Sequence, residues 1–427
     1  EILEVRITRH GPIINDVVSD LEQPLAFRWT ATSSPNQLLR SVLRLDRART
    51  WEEFRNALRD FDAPSQNFVY ADIDGNIGYQ MPGLIPIRAR GRGLVPVPGW
   101  TGEYEWEGYV PFDELPSIFN PPTGYIATAN NQVVPDDYPY FISAEWAAPY
   151  RAERIIALLT ETETLSIEDF ERIQADTYSI QAERLVPHLL TIELETELET
   201  KALERLRGWD FRYKLDSVGA SIFEMTYLKL VENTFADELG EELFGDYLGR
   251  SSFHALTLER LIEDRESRWF DDVSTPEVED REAILNRSFE QGIEMLQDQL
   301  GEDPDRWSWG RLHRSTFEHP LGVSVLSRIF NRGPVPSRGG VFTIDRAAFS
   351  YRNPFSTTSL SSYRQIVDLG ALGNSQSIHT TGQSGQPYYK HYSDLIDPWQ
   401  AVAYHPMYFD RETIEAEQEA LLILIPG

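Results

Sequence analysis

Polar and apolar residues alternate from the start of the chain: Ile2, Val5 and Ile7, then "IINDVV" after the turn "HGP". A period near two predicts extended structure over residues 1 to 20. A helical period takes over around residues 36 to 46. "TWEEF" opens a second helix, with Thr50 as N-cap and Glu53 three residues later in the capping-box spacing. "NFVYADIDGNIGYQMPG" predicts a hairpin, because Asp74-Gly75 is a favoured pair for a type I′ turn. "RGRGLVPVPGWTGEYEWEGYVPFDELP" is too rich in Gly and Pro for a helix and predicts an ordered loop packed by its own rings.

From about residue 145 to 300 the pattern becomes that of long amphipathic helices. One is opened by "TLSIEDF", with Ser166 as N-cap, Asp169 three later, and Leu165 set to staple against Phe170. After "WSWGRLHRSTFEHP" short strands and turns return. The order predicts an α+β protein in three segments: β-rich 1–145, helical 146–305 and β-rich 306–427.

The 427 residues exceed the size of a usual single core, and ten Trp, 19 Tyr and 21 Phe can fill a large one. No run is long and apolar enough for a membrane span; "ALLILIPG" is far too short. A formal charge of −29 argues against a nucleic-acid partner, which needs a basic footprint. Only four of the 39 basic residues are Lys, a bias consistent with genomic composition or with ion-pair networks at high temperature. With no Cys, disulfides, thiolate metal sites and thiol nucleophiles are excluded. The opening "EILEVRITRHGP" is neither a signal peptide nor an initiator methionine and reads as the middle of a strand, the expectation for a processed or truncated piece.

Few motifs carry chemistry. "DIDGN", Asp72 to Asn76, resembles the start of a calcium loop, but its twelfth position is Gly83 rather than a bidentate Glu, so a hairpin turn is the better reading. "GQSG", Gly382 to Gly385, lacks the strand-to-helix setting of a nucleophile elbow and reads as a tight turn. The eight histidines are scattered without zinc spacing, and His10 before Gly-Pro reads as a turn cap. "RGRG", Arg90 to Gly93, is either an anion site or a surface loop. In "GYIATANNQVV" the pair Asn130 and Asn131 leaves two readings open: a capped turn, or an amide that donates to an oxyanion.

"NFVYADIDGNIGY", "VPVPGW", "EWEGYVPF", "NPPTGYIATANN", "WSWGRLHRSTFEHPL" and "GQSGQPYYKHYSDLIDPW" follow one another in the order found in the penicillin acylase family. The chain resembles that family of N-terminal-nucleophile amidohydrolases over essentially its whole length. The resemblance implies a four-layer αββα core and a precursor that cuts itself into a small and a large chain. The large chain then begins with a Ser whose hydroxyl attacks the amide and whose own α-amine is the base. By resemblance Asn130 matches the family's catalytic Asn. Arg154 in "AERI" matches the Arg behind it, with Arg151 as the alternative. Val42 and Gln66 fall where penicillin G acylases line the acyl pocket with a Trp and an Ile, which implies an aliphatic or bulkier acyl group; for Val42 a helix-core role is the simpler reading.

Glu1 corresponds to a point well inside the family's large chain. The nucleophile, the backbone part of the oxyanion hole and the small chain are therefore expected on companion polypeptides, and this stretch alone is expected to be inactive. The resemblance further implies a periplasmic or extracellular protein. It also implies a structural calcium shared with the companion segment, although Ile142 stands where a ligand Asp is expected and the Gly93 carbonyl leaves no sequence mark. Two other classes are an inactive relative used for binding or structure, and an unrelated aromatic-rich carbohydrate-binding protein, which leaves the motif order unexplained.

Overall fold

Trp51, Phe54 and Leu58 recur at the spacing that lines one face of a helix, and that face organises the first part of the protein. In the computed structural model, which describes residues 4–18, 22–32 and 36–425, the chain forms two compact units, 1–147 and 148–427. The first begins with a short antiparallel pair, β1 (Ile7–Thr8) and β2 (Gly11–Pro12). Parts of the extended segment expected over residues 1 to 20, namely 1–3, 19 and 20, lie outside the described residues.

Helices α1 (Leu38–Leu45) and α2 (Trp51–Leu58) follow. Thr50 caps α2 by accepting from the Glu53 amide at 3.2 Å, as predicted. The Glu53 carboxylate reaches one residue further back than a capping box requires, to the Arg49 amide at 2.8 Å. The Trp51 ring lies flat on the sheet formed by β3 (Phe68–Ala71), β4 (Ile77–Gln80) and β7 (Ser117–Phe119), all antiparallel. A Cβ on Gly78 would stand 2.4 Å from the indole, so only glycine lets the ring seat there.

The expected hairpin is present but its turn is not the two-residue type I′. Ala71 pairs with Ile77, leaving residues 72–76 in the connection. The Asp72 carboxylate nucleates this longer turn, accepting from the amides of Asp74 (3.0 Å) and Asn76 (2.9 Å) and from the Asn76 side chain. Strands β5 (Pro86–Arg88) and β6 (Trp106–Tyr109) close the loop between them, and Tyr79, Met81, Val110 and Leu115 form the buried centre of the unit. His10 donates through its backbone amide to Thr8 Oγ1 at 3.1 Å within the turn, and its ring reaches further. Its Nε2 lies 2.9 Å from Glu105, which Arg9 and Arg28 also engage.

In the second unit, residues read as a helical segment and a β-rich return share one core. Its helices are α3 (Tyr150–Leu159), α4 (Ile167–Gln174), α5 (Ile180–Leu189), α6 (Glu197–Arg207), α7 (Val218–Leu248), α8 (Ser251–Leu261) and α9 (Arg281–Leu300). Ser166 and Asp169 make the predicted capping box at α4. From Gly219 to Leu228 every residue of α7 is buried, as suits a helix surrounded by others, and its axis breaks at Gly240 (φ +69°). Helix α9 approaches so closely that a Cβ on Gly292 would lie 2.9 Å from the Thr226 amide nitrogen.

The short helices α10 (Trp309–Leu312) and α11 (Ser327–Phe330) flank β8 (Arg314–Phe317), which pairs antiparallel with β9 (Arg332–Pro336). The sheet runs β10 (Ala347–Ser350), β11 (Asn353–Leu360), β8, β9, with a parallel step between β11 and β8. A second sheet holds β12 (Tyr363–Ile366), β13 (Gln376–His379) and β14 (His405–Pro406), with α12 (Ile396–Gln400) beside it. The class is α+β, as predicted. Among the described residues no helix is long and apolar enough to cross a membrane.

Candidate active site

In the first unit, "TANN" lies in the segment after β7, which has no regular element, so its conformation is set by side-chain and turn hydrogen bonds. Asn130 has φ +64°, in the left-handed region that Asn tolerates better than other non-glycine residues. Two bonds hold the backbone there. The Asn130 carbonyl accepts from the Ala147 amide at 3.0 Å, and Asn131 Oδ1 accepts from the Ala129 amide at 3.0 Å. Asn131 also donates to the Gln132 carbonyl at 3.0 Å, so its amide is spent on the turn, while Asn130 is an exposed residue.

Beside the pair is an open cleft of ≈ 310 Å³ lined by Tyr79, Ile118, Tyr125, Thr128 and Asn131 among others. Asn67 braces it, donating to Thr128 Oγ1 at 2.8 Å and accepting from the Tyr79 hydroxyl at 2.6 Å. Gln66, one residue earlier, is exposed. Val42 on α1 is 42% exposed, so it does not fill the helix core. Arg90 pairs with Glu103 at 3.3 Å on the surface and lies over the Tyr104 ring.

Arg154 lies in the second unit, on α3, facing an acid that sequence reasoning had not singled out. Its Nε and Nη2 donate to the two oxygens of Asp176 at 3.1 and 2.9 Å. Arg212 donates to the same carboxylate at 2.9 Å, and the Tyr178 amide at 3.0 Å. Both guanidinium groups lie over the Tyr178 ring, at 4.6 and 5.5 Å. Burial alone would push the Asp176 carboxyl up. The hydrogen bonds from Arg154 and Arg212 outweigh it and hold the carboxyl below its ordinary range, and they raise Arg154 in return. Arg151, one turn earlier on α3, is in a different setting: burial, with a smaller contribution from the Arg346 cation, lowers it to about 10.

Asn130, Val42 and Gln66 thus belong to the first unit and Arg154, Arg151 and Asp176 to the second. Among the described residues no group of three or more His, Asp or Glu gathers that could hold a metal ion.

The profile of the penicillin amidase family matches residues 1–416. The chain belongs to the penicillin amidase family. Among its relatives, the acyl-homoserine lactone acylase QuiP of Pseudomonas fluorescens is 32% identical over 95% of this chain and 52% of its own length. The penicillin acylase 2 proenzyme of Pseudomonas sp. is 28% identical over 98% of this chain and 54% of its own. The chain therefore spans about half the length of these relatives. The thermostable penicillin G acylase of Alcaligenes faecalis superposes with a TM-score of 0.67 at 18% identity, covering 99% of this chain and 78% of that one, which shows a shared fold.

Proposed function

We propose that this penicillin amidase relative is the larger part of an acylase that hydrolyses the amide of N-acylated small molecules, of the acyl-homoserine-lactone or penicillin type. The reaction proceeds through an acyl-enzyme on an N-terminal Ser supplied by a companion segment of the same precursor. That serine's α-amine, with an ordinary pKa near 7.7–8.0, is a base suited to neutral pH. Asn130 donates its side-chain amide to the oxyanion, and an arginine of α3, Arg154 or its neighbour Arg151, supports the amine end. Val42 and Gln66 border the acyl group. The four-layer αββα architecture, export from the cytoplasm and a calcium ion whose carboxylates come mostly from the companion chain belong to the same reading.

The observation that carries it is the division of labour in the asparagine pair. Asn131 ties down the turn, and Asn130, an exposed residue, sits in the left-handed backbone conformation that the turn imposes. Pre-set donors aimed at developing charge are among the largest single contributions to acyl transfer. The test is Asn130→Gly in the full-length, processed protein. Glycine adopts the same backbone conformation without strain, so only the amide is removed. Turnover of an N-acyl-homoserine lactone should fall by roughly 10²–10³ with the melting temperature unchanged. Wild-type turnover in this variant would refute the role of Asn130.

A further inference from the structure

The second unit concentrates positive charge in one place, against a formal charge of −29 for the whole chain. A pocket of ≈ 30 Å³ is walled by Arg338, Arg346 and Arg364 together with Asp345 and Trp399. Asp345 is the only carboxylate in that wall, and it is already shared: Arg338 Nε donates to it at 2.7 Å and Arg364 Nη2 at 2.6 Å. Among the described residues the Arg346 guanidinium donates to neutral oxygens, the Val341 carbonyl at 3.3 Å and Ser359 Oγ at 2.8 Å. Three guanidinium groups against one carboxylate leave two positive charges uncompensated in the wall.

Two further donors lack acceptors. The Arg364 side chain is 4% exposed, and among the described residues its Nε has no hydrogen-bond partner; nor has Nη2 of Arg338. Leaving such N–H groups buried and unpaired is costly. A lysine could relieve the cost by losing its proton, but a guanidinium cannot. Water can pair the N–H groups, but only a negative charge that enters the pocket also offsets the two uncompensated cations. The size of the pocket limits the choice, since ≈ 30 Å³ holds about two water-sized centres and no phosphate-bearing body.

We propose that the Arg338–Arg346–Arg364 pocket is a binding site for a small monovalent anion, either a halide ion or the carboxylate head of an organic acid. It is independent of the acylase reading, because the predicted signal is stability rather than turnover.

The experiment is a melting series on the purified protein at constant ionic strength, in which a bulky sulfonate buffer anion is exchanged for chloride, bromide or formate. Binding to the folded state alone should raise the melting temperature by about 2–4 °C and then saturate. Arg346→Gln should abolish that rise and Arg346→Lys should retain part of it. Bromide-soaked crystals should place an anomalous peak in this pocket. A rise with halides and not formate identifies a halide ion, a rise with formate and not halides identifies a carboxylate head, and a rise with both identifies a site for either. A melting temperature indifferent to every anion, an equal response in Arg346→Gln, or no bromide peak in a protein whose melting temperature rises with bromide overturns the site and leaves the pocket to water.

Discussion

Single residues divide into those whose role is written in their neighbours along the chain and those whose role comes from a distant partner. Asn131 belongs to the first kind, because both of its side-chain bonds stay within the turn, while Asn130 is also held by the distant Ala147 amide. Asp176 belongs to the second. Its two cations are 22 and 36 positions away, so its burial and pairing are not marked locally among the many solvated acids of the helical segment. The same geometry separates the two arginines of α3. Arg154→Ala removes one of two cations from a buried carboxylate. Breaking such a pair typically costs roughly 3–5 kcal/mol, and because Arg212 stays in place the loss should fall toward the lower end. Arg151 is itself half-buried, beside the Arg346 cation, so Arg151→Ala should lower the urea midpoint as well, and turnover is what separates the two. If Arg151→Ala lowers turnover of the full-length protein while Arg154→Ala lowers chiefly stability, the arginine of the site is Arg151. The reverse pattern assigns it to Arg154.

At the scale of elements, legibility follows the range of the determining interaction. The cap at Ser166 and the start of α2 are local and could be read directly. The hairpin was legible in place but not in length, since the Asp72 carboxylate gathers four donors, the Tyr70 hydroxyl among them, and favours a longer turn over the Asp-Gly pair. The parallel step between β11 and β8 joins residues 314 and 356 and left no periodic sign. Gly78 is an intermediate case: its strand was predicted, but its identity is dictated by Trp51 lying across the sheet. Gly78→Ala therefore forces the indole, stacked on Phe54 and Phe119, out of its seat. Overpacking of this kind costs about 1–3 kcal/mol. Urea unfolding of the first unit should show that loss, whereas Gly75→Ala, where no atom lies within 4 Å, should show only the strain of its φ of +85°. Equal losses at both positions would mean that ring contact does not fix Gly78.

Across the whole molecule, burial overrides the acidic character that the composition suggests. Glu224 lies on α7, whose neighbours are apolar, and it is 1% exposed at the centre of the second unit. It accepts from the hydroxyls of Tyr213 at 2.7 Å and Tyr351 at 2.8 Å. Burial raises its carboxyl from 4.5 to about 7, with the two tyrosine hydrogen bonds pulling partly the other way. His254, bonded to the Tyr227 hydroxyl at 2.7 Å in the same core, is pushed by burial in the opposite sense for its ring, from 6.5 to about 3. The signs differ. Between pH 4.5 and 7 the folded protein keeps a proton on Glu224 that the unfolded chain has released, so this contribution is complete below pH 4.5 and is lost as pH rises through 7. The His254 contribution is complete above pH 6.5 and is lost as pH falls toward 3. The two oppose each other through weakly acidic pH, and Glu224 alone acts near neutrality. Glu224→Gln keeps the shape and removes the ionisation, so its stability relative to wild type should improve by roughly 3 kcal/mol between pH 4.5 and 8. Denaturation curves at several pH values for the two proteins measure that difference directly, with all other groups cancelling. A difference that does not change with pH would mean that the Glu224 proton is held equally in the folded and unfolded states, and that its tyrosine cage rather than its burial sets its charge.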